Sequence, residues 1–339
     1  MSFFYLLQFS AFLIFKKYLI CTINDKKIFF IHLRFGFNST YYNCFYLFFL
    51  LRKFVIGFFH SKAKINLRIL RFIGVFPIRD HYYEPYFGRS EKVRALNLTG
   101  INLNEEFQLD LLKKLNFGNE LVEISKNSQD IKTYSFTEGP FLSGDAEILY
   151  SIIRYYKPSS IVEVGGGHSS KIIQHAIERN NISTPISSKH ICIEPFEAPY
   201  LKLLDLDLIR KIVTEVDVSF FSDLKANDIL FIDSSHIIRQ GGDVLYLFLE
   251  VIPKLNPGVL IHIHDIFTPN DYLLSWRNDG VNFWNEQYLF EAFLTCNNKF
   301  EIICAVNYLK NNHYNKLKDA APMLDKERQP GSMWLKVKN

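Results

Sequence analysis

Four short stretches of the chain gather residue types that can do chemistry. The first is Glu163-Val164-Gly165-Gly166-Gly167-His168-Ser169-Ser170, a glycine triplet directly after an apolar run. Glycines there let the backbone turn tightly and let a ligand approach with no Cβ in the way. Glu163 beside the turn would repel a pyrophosphate but suits a ligand carrying an ammonium group and a sulfonium. The dinucleotide fingerprint also wants a small residue where Ser170 stands, which disfavours a nicotinamide dehydrogenase. The second stretch, Ile193-Glu194-Pro195, puts an acidic side chain at the end of the next apolar run. Such a carboxylate can accept hydrogen bonds from both hydroxyls of a ribose. The interval from the glycine turn is longer than the usual ~20 residues, and the polar stretch 180–189 reads as a loop insertion that accounts for it.

The third and fourth stretches are Phe231-Ile232-Asp233-Ser234-Ser235-His236 and His262-Ile263-His264-Asp265. Each is an apolar run ending in aspartate. Asp233 and Asp265 at the tips of adjacent strands would share one divalent cation, which removes their mutual repulsion and offers open positions to a substrate's oxygens. His264 is the candidate third ligand. His236, three residues past Asp233, is placed to take a proton from a substrate hydroxyl near neutral pH. Two rival readings attach to the same residues. His262, His264 and Asp265 could be the metal cluster of a hydrolase, since alternate strand positions face one side. The chain could also be a non-catalytic binding module that keeps the fold.

The elements that must position these groups alternate. A helix is expected from a Ser143 N-cap to Tyr156, with Asp145 in its first turn, and another over 171–179. Helices over 104–115, 243–255 and 283–294 follow from apolar spacing. Strands are expected at 161–164, 190–193, 211–216, 229–232, 259–264, 300–306 and 333–337. Short apolar strands alternating with helices indicate an α/β, doubly wound, mostly parallel seven-stranded sheet. Ligands of such sheets bind beyond the carboxyl ends of the strands, where the strand order reverses.

Composition sets the outer bounds. Of 339 residues, 48% are hydrophobic and 22% charged, as in a globular protein with a sizeable core. A net charge of +4 with scattered basic residues gives no footprint for nucleic acid. The five cysteines (Cys21, Cys44, Cys192, Cys296, Cys304) are far apart and lack CxxC spacing, so free thiols in a reducing, cytoplasmic compartment are expected. The organisation expected is an apolar segment over 1–60, an N-terminal cap and substrate region over 61–142, and the main domain over 143–339. The apolar segment lacks the roughly 20 uninterrupted residues of a spanning helix. It reads equally as an interfacial membrane anchor, as packing helices, or as translation upstream of the true start.

Taken together, EVGGG at 163–167, IEP at 193–195, FIDSSH at 231–236 and IHIHDIF at 261–267 resemble the successive motifs of class I S-adenosylmethionine-dependent methyltransferases. Within that class they resemble the metal-dependent O-methyltransferases of sugars and macrolide sugars. The resemblance runs from Ser143 to Lys338 and implies a Rossmann-like fold. It also implies S-adenosylmethionine bound by Glu163, Gly165, Gly167, Glu194 and Asp233, and a divalent metal, magnesium or manganese, at Asp233, His264 and Asp265. His236 becomes the general base, and a small-molecule or glycan hydroxyl the methyl acceptor. The relatives carry an acidic residue where this chain has His264, and an imidazole there also admits iron or zinc. Tyr82, Tyr83, Trp284 and Tyr288 lie outside the general pattern and are candidates for an aromatic wall over the acceptor.

Overall fold

The order of the strands follows from where each apolar run can be buried. In the computed structural model, residues 98–338 are described apart from 127–133, 184–186, 197 and 279–282. They belong to a compact unit that begins at Phe87. The expectations for 1–60, for Tyr82 and for Tyr83 lie outside the described residues.

Helices α1 (Glu105–Lys114), α2 (Gly118–Lys126) and α3 (Asp145–Tyr156) precede the first strand. Helix α1 carries Glu105 and Glu106 in its first turn and Lys113 and Lys114 in its last, the arrangement its dipole favours. Then come β1 (Ser160–Val164), α4 (His168–Ser183), β2 (Lys189–Ile193), β3 (Asp207–Ile209) and the short α5 (Val218–Phe221). Next are β4 (Ile229–Ile232), α6 (Asp243–Tyr246), β5 (Leu260–Ile263), α7 (Leu274–Asn278) and α8 (Glu286–Leu294). The series closes with β6 (Phe300–Ala305), α9 (Val306–Asn312), α10 (Tyr314–Ala320) and β7 (Met333–Val337).

The strands form a seven-stranded sheet in the order β3-β2-β1-β4-β5-β7-β6. The first five run parallel, and β7 lies antiparallel between β5 and β6. The chain leaves β1 toward β2 on one side and returns with β4 on the other. The order therefore reverses between β1 and β4, and their carboxyl ends frame the crevice where such sheets take ligands.

Side chains alternate across the sheet. Ile161, Ile229, Phe231, Leu260 and Trp334 join a core beneath α1, α2, α3 and α4. Val162, Val164, Leu230, Ile232, Ile261 and Ile263 join the core on the other face. Burying each such large side chain contributes roughly 1.5–3 kcal/mol before conformational entropy is counted. Leu111, Leu121, Tyr134 and Phe141 belong to the same core as the strands. The described part of 98–142 thus shares the core of the main domain. Arg154 on α3 ties this layer together: it donates to both carboxylate oxygens of Glu120 on α2 at 2.8 and 2.9 Å, and also bonds Asn180 on α4.

Several local expectations need correction. Ser143 does not cap α3. Gly144 holds that position at φ 90, a left-handed conformation that suits glycine, and its N–H donates to Glu147 Oε2 at 2.7 Å. The third strand lies at Asp207–Ile209. The apolar residues expected to form it, Val213 and Val216, are buried instead around a single 3-10 turn. The long helix expected after Gly242 keeps α geometry only to Tyr246, then widens to a π turn over Leu247–Val251 and tightens to 3-10 over Ile252–Lys254. Among the described residues, no helix is long and apolar enough to cross a membrane.

Candidate active site

The glycine turn is built by close packing. Gly165 has φ 88, and a Cβ there would lie 1.8 Å from the carbonyl oxygen of Asp233. Only glycine lets the exit of β1 pass this near the exit of β4. The backbone seals the junction: Asp233 N donates to Val164 O at 2.9 Å, and Gly165 N to Ile193 O at 3.1 Å. At Gly166 a Cβ would meet Cys192 Sγ at 2.3 Å and sit 3.6 Å from Glu194 Cβ. At Gly167 it would meet nothing within 4 Å. The loop is thus packed from behind and open at Gly167, a cradle with room for a ligand. Glu194, half-buried at the tip of β2, accepts from the N–H of Phe196 at 2.6 Å. It stands beside the loop.

Glu163 has a different place from the one expected. Its side chain is wholly buried on the sheet face covered by α1 to α4. Ser169 and Ser170 hydroxyls donate to its two oxygens at 2.6 Å each, and His190 Nε2 lies 3.0 Å from the second. A buried carboxylate is tolerable only when so satisfied. Glu163 therefore anchors the first turn of α4 against β1 and shapes the glycine loop from below, and does not line it.

At the tips of β4 and β5, Asp233, His236 and Asp265 each offer a ligand atom within 4.8 Å of one another. His236 Nε2 is 3.1 Å from Asp233 Oδ1 and 3.5 Å from Asp265 Oδ2. Its Nδ1 is 2.9 Å from Glu286 Oε2, on the first turn of α8. His236 (φ 58) and Asp265 (φ 59) both adopt left-handed backbone. Such conformations cost non-glycine residues of order 1 kcal/mol or more and persist where surroundings impose them. Around His236 the surroundings are explicit. Its carbonyl accepts from the N–H groups of Asn285 and Glu286 at 3.0 and 3.2 Å, and Asn285 Oδ1 accepts from Ile238 N at 2.6 Å. Beside Asp265, Ile266 N donates to Gly331 O at 2.8 Å, and a Cβ on Gly331 would come within 3.1 Å of Asp265 Cα. Upstream, Ser235 N and Oγ both donate to Asp243 at 2.7 Å, fixing the loop to the start of α6.

The charges are tightly balanced. Burial alone would lower the pKa of His236, but hydrogen bonds to Asp233 and Glu286 outweigh it and hold the imidazole well above its ordinary value. Burial likewise opposes charge on Asp233, yet His264 and His236 hold its carboxyl below the usual range. Glu286, in contrast, is pushed up by burial, against the pull of His236.

His264 lies next to this group, its Nε2 3.6 Å from Asp265 Oδ1 and its ring tilted 4.9 Å from Phe141. The ligand atoms that converge include His236 in the place that the sequence reading gave to His264. His262 is part of the core: its ring stacks on Phe231 at 4.1 Å, neighbours Trp334 at 4.9 Å, and bonds Ser332 Oγ through Nε2 at 2.9 Å. Burial holds its pKa well below the ordinary value. A hydrolytic cluster of His262, His264 and Asp265 therefore lacks His262. Trp284 packs at 4.8 Å from the His236 ring and 4.9 Å from Trp276, an aromatic wall beside the group. Tyr288 sits apart, half-exposed and donating to Asp271 at 2.8 Å.

The donor chemistry suits a divalent cation: two carboxylates and one imidazole converge, a mixed oxygen and nitrogen set that manganese, iron or zinc accepts as well as magnesium. Glu286 was not found by sequence reasoning. It lies 50 positions from His236, and its stretch was read for aromatic residues alone.

Comparison with known proteins agrees with this geometry. Residues 162–266 match a family model described as "Methyltransferase domain". An uncharacterised protein of Archaeoglobus fulgidus is 32% identical over 164 residues, 43% of this chain and 73% of that protein. Among solved structures, a putative O-methyltransferase from Klebsiella pneumoniae is 13% identical, covering 68% of this chain and 90% of its own, with a TM-score of 0.35. The O-methyltransferase from Bacillus cereus in complex with SAH gives the same identity, coverage and score. The O-methyltransferase TomG from Streptomyces achromogenes, in complex with SAM, is 11% identical and covers 72% and 100%, with a TM-score of 0.36. These low scores add nothing to the strand order already described. With that order and the glycine turn at its switch point, residues 162–266 form a methyltransferase domain on a Rossmann-like sheet.

Proposed function

We propose that this methyltransferase transfers its methyl group to a hydroxyl of a sugar or other small metabolite, with help from a divalent cation. The observation that carries the reading is the convergence of Asp233, His236 and Asp265 at the tips of β4 and β5, next to the glycine cradle. S-adenosylmethionine, when bound, supplies an electrophilic methyl carbon on a positively charged sulfur. A cation held by Asp233 and Asp265, with His236 left unligated beside it as the base, would supply positive charge that makes a nearby hydroxyl more acidic.

The chain's own residues do the rest. Gly165 lets the loop close against β4, Gly167 leaves the cofactor its space, and Glu194 accepts from its ribose. Asp233 and Asp265 would hold the cation beside the acceptor. A cation on Asp233 would offset the carboxylate charge that keeps His236 protonated in the metal-free site, so that Nε2 is free to take the hydroxyl proton as the oxygen–carbon bond forms and the carbon–sulfur bond breaks. Trp284 covers the flank and excludes water. The apolar sequence of residues 1–60 mildly favours an acceptor held near a membrane surface.

Replacing His236 with Ala tests the assignment. Turnover is expected to fall about 10²–10⁴-fold, while calorimetric affinity for S-adenosylmethionine stays within about twofold. Loss of cofactor binding together with turnover would reject the role given to His236.

A further inference from the structure

We propose that Glu286 is the positioning residue for His236: it holds Nδ1–H, so that Nε2 faces the gap between Asp233 and Asp265. The inference rests on the reading of His236 as the proton acceptor and adds a residue to it. Three observations carry it. Glu286 is fully buried, and its Oε2 is 2.9 Å from His236 Nδ1. With Glu286 ionised, as its pairing with His236 favours, the carboxylate accepts and the proton in that bond sits on Nδ1. The opposite ring nitrogen then points to Asp233 Oδ1 at 3.1 Å and Asp265 Oδ2 at 3.5 Å, where an acceptor hydroxyl would sit.

The backbone makes the contact hard to avoid. The N–H groups of Asn285 and Glu286 both donate to the carbonyl of His236, which pins the start of α8 to the loop. With the two main chains held together, the Glu286 side chain reaches the near nitrogen of the ring and no other. The imidazole also rests against Trp284, two positions before Glu286, so one short segment supplies both the hydrogen bond and the packing surface. Fixing the tautomer and orientation of a base through its second nitrogen is a general way to make it competent. Glu286 Oε1 is buried with no hydrogen-bond partner among the described residues. This group is thus retained at a cost that core packing alone would not require.

The test has two arms. In the metal-free, ligand-free protein, nitrogen-edited proton NMR should show a downfield, slowly exchanging imidazole Nδ1–H, distinct from the Nε2–H that faces Asp233, that disappears in H236A. It should also disappear in E286A and persist in E286Q, whose amide oxygen still accepts. Its persistence in E286A overturns the proposal. In the second arm, release of S-adenosylhomocysteine is measured with a panel of methyl glycosides bearing vicinal hydroxyls. E286A should lower turnover at least about tenfold, with E286Q in between and S-adenosylmethionine affinity unchanged. In an H236A background, E286A should cost nothing further, because the two act as a unit; full additivity overturns the proposal. If the wild type methylates no glycoside, the acceptor reading fails, and the NMR arm still decides for or against Glu286.

Discussion

Substituting Gly165 by Ala should break the site from within, and the structure supplies the magnitude. The added Cβ would lie 1.8 Å from Asp233 O. An ordinary contact needs well over an ångström more, and the oxygen belongs to backbone whose own N–H is committed to Val164 O. A left-handed φ costs a β-carbon about 1–2 kcal/mol, and forced overpacking adds about 1–3 kcal/mol. Reduced freedom of the unfolded chain returns about 0.4–1 kcal/mol. The net loss is about 3 kcal/mol, a drop in Tm on the order of 6–12 °C for a domain of this size. The relief must come from movement of Asp233, so affinity for S-adenosylmethionine should fall by at least about tenfold in calorimetry, beyond what partial unfolding explains. Gly167→Ala is the matched control. Its Cβ meets nothing within 4 Å, so Tm should hold within about 2 °C, and any effect should appear only in ligand binding. Equal Tm losses in the two variants, or a Gly165→Ala protein with the wild-type Tm and affinity, would refute the packing argument.

Other consequences are as concrete. Burial raises the carboxyl of Glu147 to about 7, against the backbone N–H groups of Gly144 and Met323. A raised folded-state pKa gives stability that is complete below the unfolded value near 4.5 and is lost as pH climbs through 7. Denaturant titrations should therefore show stability falling by up to about 3 kcal/mol between pH 5 and 8, with a flatter profile in Glu147→Gln; equal slopes would sink the assignment. Arg154→Met leaves Glu120 without its guanidinium partner in a partly exposed pair. It should cost about 2 kcal/mol, read as a Tm loss of roughly 4–8 °C. Manganese titration followed by electron paramagnetic resonance should show binding weakened in Asp265→Asn and unchanged in His262→Phe, whose ring keeps the stack on Phe231. Equal losses in both would return His262 to the ligand set.

Much of the fold was legible because parallel strands buried on both faces read as continuous apolar runs. Ile229–Ile232 and Met333–Val337 appear as expected, and both aspartates stand at strand tips. What stayed hidden has physical causes. β3 is an edge strand of three residues, too short for a period to show. Helices α9 and α10, between β6 and β7, mix asparagine and lysine with few apolar positions and carry a weak pattern. The cap at Gly144 depends on a positive φ that Ser143 only appeared to make unnecessary. At the site, a carboxylate after an apolar strand announces itself, but what faces it does not. Glu163 read as a ligand-binding group because its neighbours are glycines, whereas Ser169, Ser170 and His190 claim it. Exchanging His264 for His236 depends on a loop turning back at φ 58, which no spacing rule contains.

That reversal has a consequence for how the protein would evolve under heat. At positions 236 and 265 the native histidine and aspartate hold a twist that asparagine or glycine would adopt with less strain. Selection for thermal endurance alone would drift toward those replacements, and each would erase a group that the proposed chemistry needs. A library screened only for survival at high temperature should thus enrich folded, heat-hardy, inert variants at these two codons, and their recovery would mark where durability and catalysis compete.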